Sequence, residues 1–125
     1  MKTKRHIVII DDDKNFLKVV KKMLETHEDY TVSCYLDENK LLENFYKEVP
    51  DLVIIDINLT ITNGIKLCYE LSKNSFYSFP VIFVSTENKY SVIQDFLLTK
   101  TNIKFLKKPI VDQQLTKAVS DLLAS

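Results

Sequence analysis

Apolar residues in this chain follow two rhythms that alternate from one end to the other. The runs His6-Ile7-Val8-Ile9-Ile10 and Asp51-Leu52-Val53-Ile54-Ile55-Asp56 are short, nearly continuous and rich in β-branched residues, which predicts strands buried on both faces. Elsewhere the apolar positions recur at three and four residues, the stripe of an amphipathic helix. Phe16, Val19, Val20, Met23 and Leu24 give a first such stripe, capped by Asp13, and Leu41, Leu42, Phe45 and Val49 give a second, closed by Pro50. Between them Tyr30 to Tyr35, β-branched and aromatic, predicts another strand.

The second half repeats the alternation. A Thr-Ile-Thr-Asn-Gly turn leads from the Asp56 strand to a helix with Leu67, Cys68 and Leu71 on one side, and Gly64 is expected to supply a backbone shape at that turn. Phe79-Pro80 opens a fourth strand, Val81-Ile82-Phe83-Val84, which ends in Ser85 and Thr86. A weaker helix follows with Ile93, Phe96 and Leu97 inward, then a fifth strand over Ile103 to Leu106 and the triplet Lys107-Lys108-Pro109. The last helix carries Leu115, Ala118, Val119, Leu122 and Leu123. Five βα units in strict alternation predict an α/β fold, a parallel sheet with helices on both faces. In such sheets ligands bind at the carboxyl ends of the strands.

Composition narrows the function more than the fold. At 125 residues the chain fits one domain, and 46% hydrophobic with 27% charged residues is the balance of a soluble globular protein. Its 17 basic and 17 acidic residues cancel, so no overall field favours direct nucleic-acid binding, and no apolar run approaches a membrane span. The start, Met-Lys-Thr-Lys-Arg-His, passes directly into a strand-like run without the apolar core of a secretory signal, so the cytoplasm is expected. Gly64 is the single glycine, which excludes both the dinucleotide-binding glycine fingerprint and the P-loop. Cys34 and Cys68 have the spacing of neither a metal site nor a redox pair and are expected to be buried free thiols.

The chemistry collects at the predicted strand ends. These deliver Asp11 and Asp12, Asp56, the Ser85 hydroxyl and an ammonium from Lys107 or Lys108. Clustered carboxylates repel one another, and a hard cation relieves that repulsion; Mg²⁺ is suited to a few carboxylates and several waters. A carboxylate beside such an ion, faced by a lysine and a hydroxyl, is equipped to attack phosphorus while the charge on the phosphoryl oxygens is neutralised. Taken singly, Asp13 reads as a helix cap, Lys107 as a solvated charge and Phe105 as packing.

Asp11-Asp12 after the first strand, Asp56 after the third, Asn63-Gly64 in the turn, Ser85 after the fourth strand and Lys108-Pro109 after the fifth resemble, in that order, a response-regulator receiver domain of two-component signalling, of the kind found in chemotaxis regulators. The resemblance covers essentially the whole chain. It implies a flavodoxin-like doubly wound (βα)5 fold with strand order 2-1-3-4-5. It further implies a signalling switch rather than an enzyme acting on other molecules, with Asp56 taking a phosphoryl group from a phosphohistidine. Asp11, Asp12, Asp56 and the Asn58 carbonyl would surround Mg²⁺, and Ser85 and Lys108 would bind the phosphoryl oxygens. Ser85 and Phe105 would form the switch, and the Lys108-Pro109 bond would be cis. The partners implied are a sensor histidine kinase or phosphotransfer protein and an output partner, or the protein's own effector domain. The output is read through the face of the fourth helix, fifth strand and fifth helix, with a homodimer as a further option.

The chain departs from the family pattern at several points. Asn63 replaces an aspartate, Thr60 a frequent proline, Thr86 a small alanine and Thr101-Asn102 the usual Gly-Ala, while Lys107 adds a charge before Lys108. Two rivals remain. Asp56-Ile57-Asn58-Leu59-Thr60 is loosely similar to the nucleophile loop of haloacid-dehalogenase-type phosphatases, but Asn58 cannot serve as the general acid of that class. A receiver-like module that takes no phosphate is opposed by the intact set of three aspartates, serine and lysine.

Overall fold

The computed structural model describes residues 4–27, 29–59, 63–73, 79–86 and 102–124. In chain order the elements are β1 (Arg5–Ile10), α1 (Lys14–Glu25), β2 (Tyr30–Tyr35), α2 (Glu38–Phe45), β3 (Leu52–Asp56), α3 (Gly64–Lys73), β4 (Val81–Ser85), β5 (Ile103–Lys107) and α4 (Asp112–Ala124). The helix expected around Ile93, Phe96 and Leu97 lies outside the described residues, so α4 is the last of the five predicted helices. All strand pairs are parallel, in the order β2-β1-β3-β4-β5. This is the flavodoxin-like order that the sequence led us to expect.

The continuous apolar runs are explained by what covers them. Alternate residues of each central strand point to opposite faces, and each face has its own helix layer. Ile7, Ile9 and Ile54 pack with Leu17 and Val20 of α1 and Leu115 and Val119 of α4. Val8, Ile10 and Ile55 pack with Leu41 of α2 and with Leu67 and Leu71 of α3. Every residue of β3 and β4 is buried. At about 1.5–3 kcal/mol for each large apolar side chain removed from water, this two-layer burial dominates the folding energy.

Three details differ from expectation. The inward stripe of α1 is Leu17, Val20 and Leu24, with Phe16 and Met23 half-buried at its margin, while Val19 is 50% exposed. Val19 stands about 100° around the helix from Val20, outside the arc the sheet covers. Helix α2 ends at Phe45 with Tyr46 as its C-cap, so Val49 is an exposed loop residue and Pro50 does not close the helix. Both cysteines are free but only half-buried, and burial still pushes both thiols up, Cys68 to about 11.

Candidate functional site

Strand β1 ends at Ile10 and β3 at Asp56, and the two strands are neighbours, so their carboxylates meet at one edge of the sheet. Asp11 has no exposed surface and Asp56 is 4% exposed, whereas Asp12 faces solvent. One carboxylate oxygen from each of Asp11, Asp12 and Asp56 lies within 4.8 Å of the others. The backbone turn that places Asp11 is fixed by its own side chain, since Oδ1 accepts the Asp13 N–H at 2.9 Å. Asp13 then caps α1 as expected, accepting from the N–H groups of Asn15 and Phe16 at 2.9 and 3.4 Å. One run of three aspartates thus serves two purposes: the first two reach the site and the third starts the helix.

Lys108 arrives from the far side of the sheet. Its Nζ stands 2.6 Å from Asp11 Oδ2 and 3.6 Å from Asp56 Oδ2, and 4.2 Å above the Phe16 ring. The ring face attracts the cation and shields it on the α1 side. The lysine's position is set by its backbone: the Lys108 N–H donates to the Ser85 carbonyl at 2.8 Å, and the Lys108-Pro109 bond is cis, as expected. The buried Ser85 follows Val84, the strand partner of Asp56, and so sits one residue beyond the acid's level. Lys107 is the strand partner of Ser85 and is exposed; it takes no part in the ion pairs around Asp11 and Asp56 that involve Lys108.

Burial, followed by repulsion from Asp11, pushes the Asp56 carboxyl up to about 6, against the opposing pull of the Asn58 N–H and of Lys108. The Asn58 N–H donates to Asp56 Oδ1 at 3.1 Å. Asn58 is in turn held by a bridge to Asn63, next to which the Gly64 N–H donates to the Ile57 carbonyl at 2.8 Å. Asn63 Oδ1 accepts the Lys66 N–H at 2.7 Å, so the residue that departs from the family pattern still supports the start of α3.

Gly64 is needed here for a reason that differs from the expected one. Its φ is not positive, so no left-handed turn requires it. A Cβ at this position would collide with the Asp56 carbonyl oxygen, and would stand 2.6 Å from Ile55 Cγ2 and 2.9 Å from the Asp56 carbonyl carbon. Absence of a side chain lets the first turn of α3 press against the end of β3, next to the buried acid. The sequence signal, a lone glycine, was visible; its cause was a close approach between two backbones.

The donor set fits a hard divalent cation. Three carboxylates within reach of one another offer only oxygen ligands, and the exposed Asp12 leaves an open side on which water can complete the coordination. Chemically the site joins a buried carboxylate, an ammonium beside it and a place for a cation. Phe105 lies further off, half-buried, with its ring stacked on Phe83 at 5.4 Å between centroids and 30° between planes.

A parallel sheet in this order brings an acidic cluster and a lysine together at its carboxyl edge, the edge at which such sheets bind ligands. The comparison of sequences is more specific. The profile of the response regulator receiver domain matches residues 7–120, and the chain belongs to that family. Among solved structures it is similar to the chemotaxis protein CheY4 of Vibrio cholerae, at 22% identity over 97% of this chain and 100% of the other, with a TM-score of 0.84. A two-component response regulator from Clostridium difficile is 21% identical, with 97% of each chain covered and a TM-score of 0.84. A CheY-like receiver domain protein from Methanospirillum hungatei is 24% identical over 98% of this chain and 95% of that one, also at 0.84. At these identities the neighbours bear on the fold, and the family match carries the assignment to two-component signalling.

Proposed function

We propose that this receiver domain is a phosphorylation-controlled switch in which Asp56 takes a phosphoryl group from the phosphohistidine of a sensor histidine kinase or phosphotransfer protein. The observation that carries this reading is the Lys108 ammonium held between Asp11 and Asp56, at 2.6 and 3.6 Å, beside a buried acid at the carboxyl edge of the sheet. With its pKa at about 6, Asp56 is ionised in most molecules at pH 7 and is available as a nucleophile. Its carboxylate oxygen attacks phosphorus, the phosphorus–nitrogen bond breaks, and the electron pair leaves with the imidazole.

Lys108 donates to one phosphoryl oxygen and offsets its charge, and the Ser85 hydroxyl donates to another. Asp11, Asp12, Asp56 and the Asn58 carbonyl are the residues that would hold Mg²⁺, which supplies further charge neutralisation at the phosphoryl group when bound. The chain catalyses only its own phosphoryl transfer and loss. A structurally similar receiver domain, DrrB, is known in a BeF3-activated form.

The phosphoryl group adds roughly two negative charges beside Asp56. Movement of Ser85 toward it frees space beyond the β4 end, and rotation of Phe105 into that space changes the surface of β5 and α4 that an output partner or effector domain reads. The same face is available for a homodimer. No described helix is long and apolar enough to cross a membrane, and the reading places the protein in the cytoplasm without direct contact to nucleic acid. Incubation with acetyl phosphate and Mg²⁺ followed by intact-protein mass spectrometry tests the assignment. Wild type should gain one phosphoryl group and Asp56→Asn none; full labelling of the variant would move the acceptor elsewhere, and turnover without an adduct would favour a phosphatase.

A further inference from the structure

The two outer strands of the sheet are protected in different ways. An edge strand presents unpaired N–H and C=O groups to which another chain can add, and charged side chains on the strand discourage this. Strand β5, at one edge, carries Lys104 and Lys107. Strand β2, at the other, reads Tyr30-Thr31-Val32-Ser33-Cys34-Tyr35, without charge, proline or glycine, which is the composition of a self-pairing segment. The Tyr35 carbonyl accepts the Asp11 N–H at 3.1 Å on the β1 side, so by alternation the backbone groups of Val32 and Cys34 turn outward. Those of Val32 are covered from α1. Lys21 Nζ donates to the Val32 carbonyl at 3.3 Å, and the Val32 N–H donates to Glu25 Oε2 at 3.4 Å. The two covering groups are themselves an i,i+4 ion pair at 3.9 Å. Their side chains are 46% and 39% exposed, so the cover is solvated and opens readily.

We propose that the free edge of β2 is a strand-addition site for a second copy of this chain, held shut by Lys21 and Glu25. Two β2 strands related by a two-fold axis at Val32 pair antiparallel, each Val32 exchanging its N–H and carbonyl with the other. In that register Tyr30 stands opposite Cys34 and Thr31 opposite Ser33, so no like charges meet along the strands. The charges on α1 fit the same symmetry. Glu25 lies at the N–H of Val32 and Lys21 at its carbonyl, and the axis reverses the second strand, so Lys21 of each copy comes to Glu25 of the other. Opening the cover therefore exchanges an ion pair within one chain for the same pair between two. An unrelated extended segment offers no such exchange, which makes a second copy the favoured occupant. The cover acts as a competitor for the edge: while Lys21 and Glu25 occupy the central bonding position, a second strand has nowhere to start.

The test is sedimentation velocity of the full chain over a concentration series, with reductant and without a phosphodonor. K21A/E25A should associate at a concentration about tenfold or more below that at which wild type does, since the hydrogen bonds to charged groups that compete for the edge are gone. In hydrogen exchange, protection of the Val32 and Cys34 amides of this variant should rise with its concentration, because those are the groups the second strand pairs. Adding T31K places a charge on the strand itself, at an exposed position, and K21A/E25A/T31K should sediment as wild type does. Circular dichroism and acetyl phosphate labelling of all variants should match wild type, since none of the three residues belongs to the acidic site. A K21A/E25A protein that associates no more than wild type would overturn the proposal. A dimer that T31K leaves intact would do the same, because its contact would lie elsewhere. So would a variant that stays monomeric yet binds an uncharged extended peptide of unrelated sequence, which would make the edge a site for a different occupant.

Discussion

Replacing Asp56 by Asn should make the domain more stable above pH 6 than the native protein, by an amount the site geometry sets. The acid is 4% exposed, and burial and the Asp11 carboxylate push it from 3.8 to about 6 despite Lys108 at 3.6 Å. A carboxyl whose pKa is raised by folding contributes stability that is fully present below pH 3.8 and is lost as pH climbs through about 6. At 1.36 kcal/mol per pH unit the ionised form costs the folded state about 3 kcal/mol at pH 8. Asn keeps the shape and can still accept the Asn58 N–H, but it carries no charge. In chelator, urea unfolding of both proteins from pH 4 to 8 should give a difference near zero at the acid end that grows toward about 3 kcal/mol. With m about 1–3 kcal/mol/M, the midpoint shifts by about 1 M or more in urea. Taking the difference between the two proteins cancels every other titrating group they share. A flat difference, or an Asn variant that loses ground as pH rises, would show that Lys108 outweighs burial and would refute the reasoning.

Gly64→Ala should destabilise by about 1–3 kcal/mol, because the added methyl meets the backbone of Asp56 and not a side chain that can move aside; urea unfolding reads it, and a neutral result would mean that α3 shifts freely. Lys108→Ala leaves the fully buried Asp11 and its neighbour Asp56 without their cation, so stability at pH 7 should fall by about 3 kcal/mol or more. The loss should shrink as pH falls through about 6 and the Asp56 carboxyl becomes neutral, and an unchanged loss there would point to packing on Phe16 instead. Ser85→Ala should keep Asp56 phosphorylation measurable yet uncouple it from binding at the β5 and α4 face; unchanged coupling would remove Ser85 from the switch.

The periodicity of the sequence made the order of strands and helices readable because burial on both faces of a parallel strand leaves so few polar positions. It was less informative where a helix meets solvent at its margin. Val19 and Val20 are identical by hydrophobicity, and only the arc subtended by the sheet decides that Val20 is buried and Val19 exposed. Val49 misled for another reason: α2 stops at Phe45, a terminus set by the Tyr46 cap and not by the proline downstream.

At the site, residue types and spacing were enough to bring Asp11, Asp12, Asp56, Ser85 and either Lys107 or Lys108 to one edge, because each stands at a strand end and parallel strands bring their carboxyl ends together; the choice of Lys108 came from the family resemblance. What spacing cannot express is how unequal those residues become once folded. Asp11 and Asp12 are adjacent in sequence, yet one is fully buried against Lys108 and the other faces water. The buried acid is thereby committed to the lysine, while the exposed one faces the solvent from which a hydrated cation would arrive. Asp56 stands between these two roles, close enough to Asp11 to be raised in pKa and close enough to Lys108 to remain mostly ionised at neutral pH. Its charge state is a balance of burial against two neighbours of opposite charge.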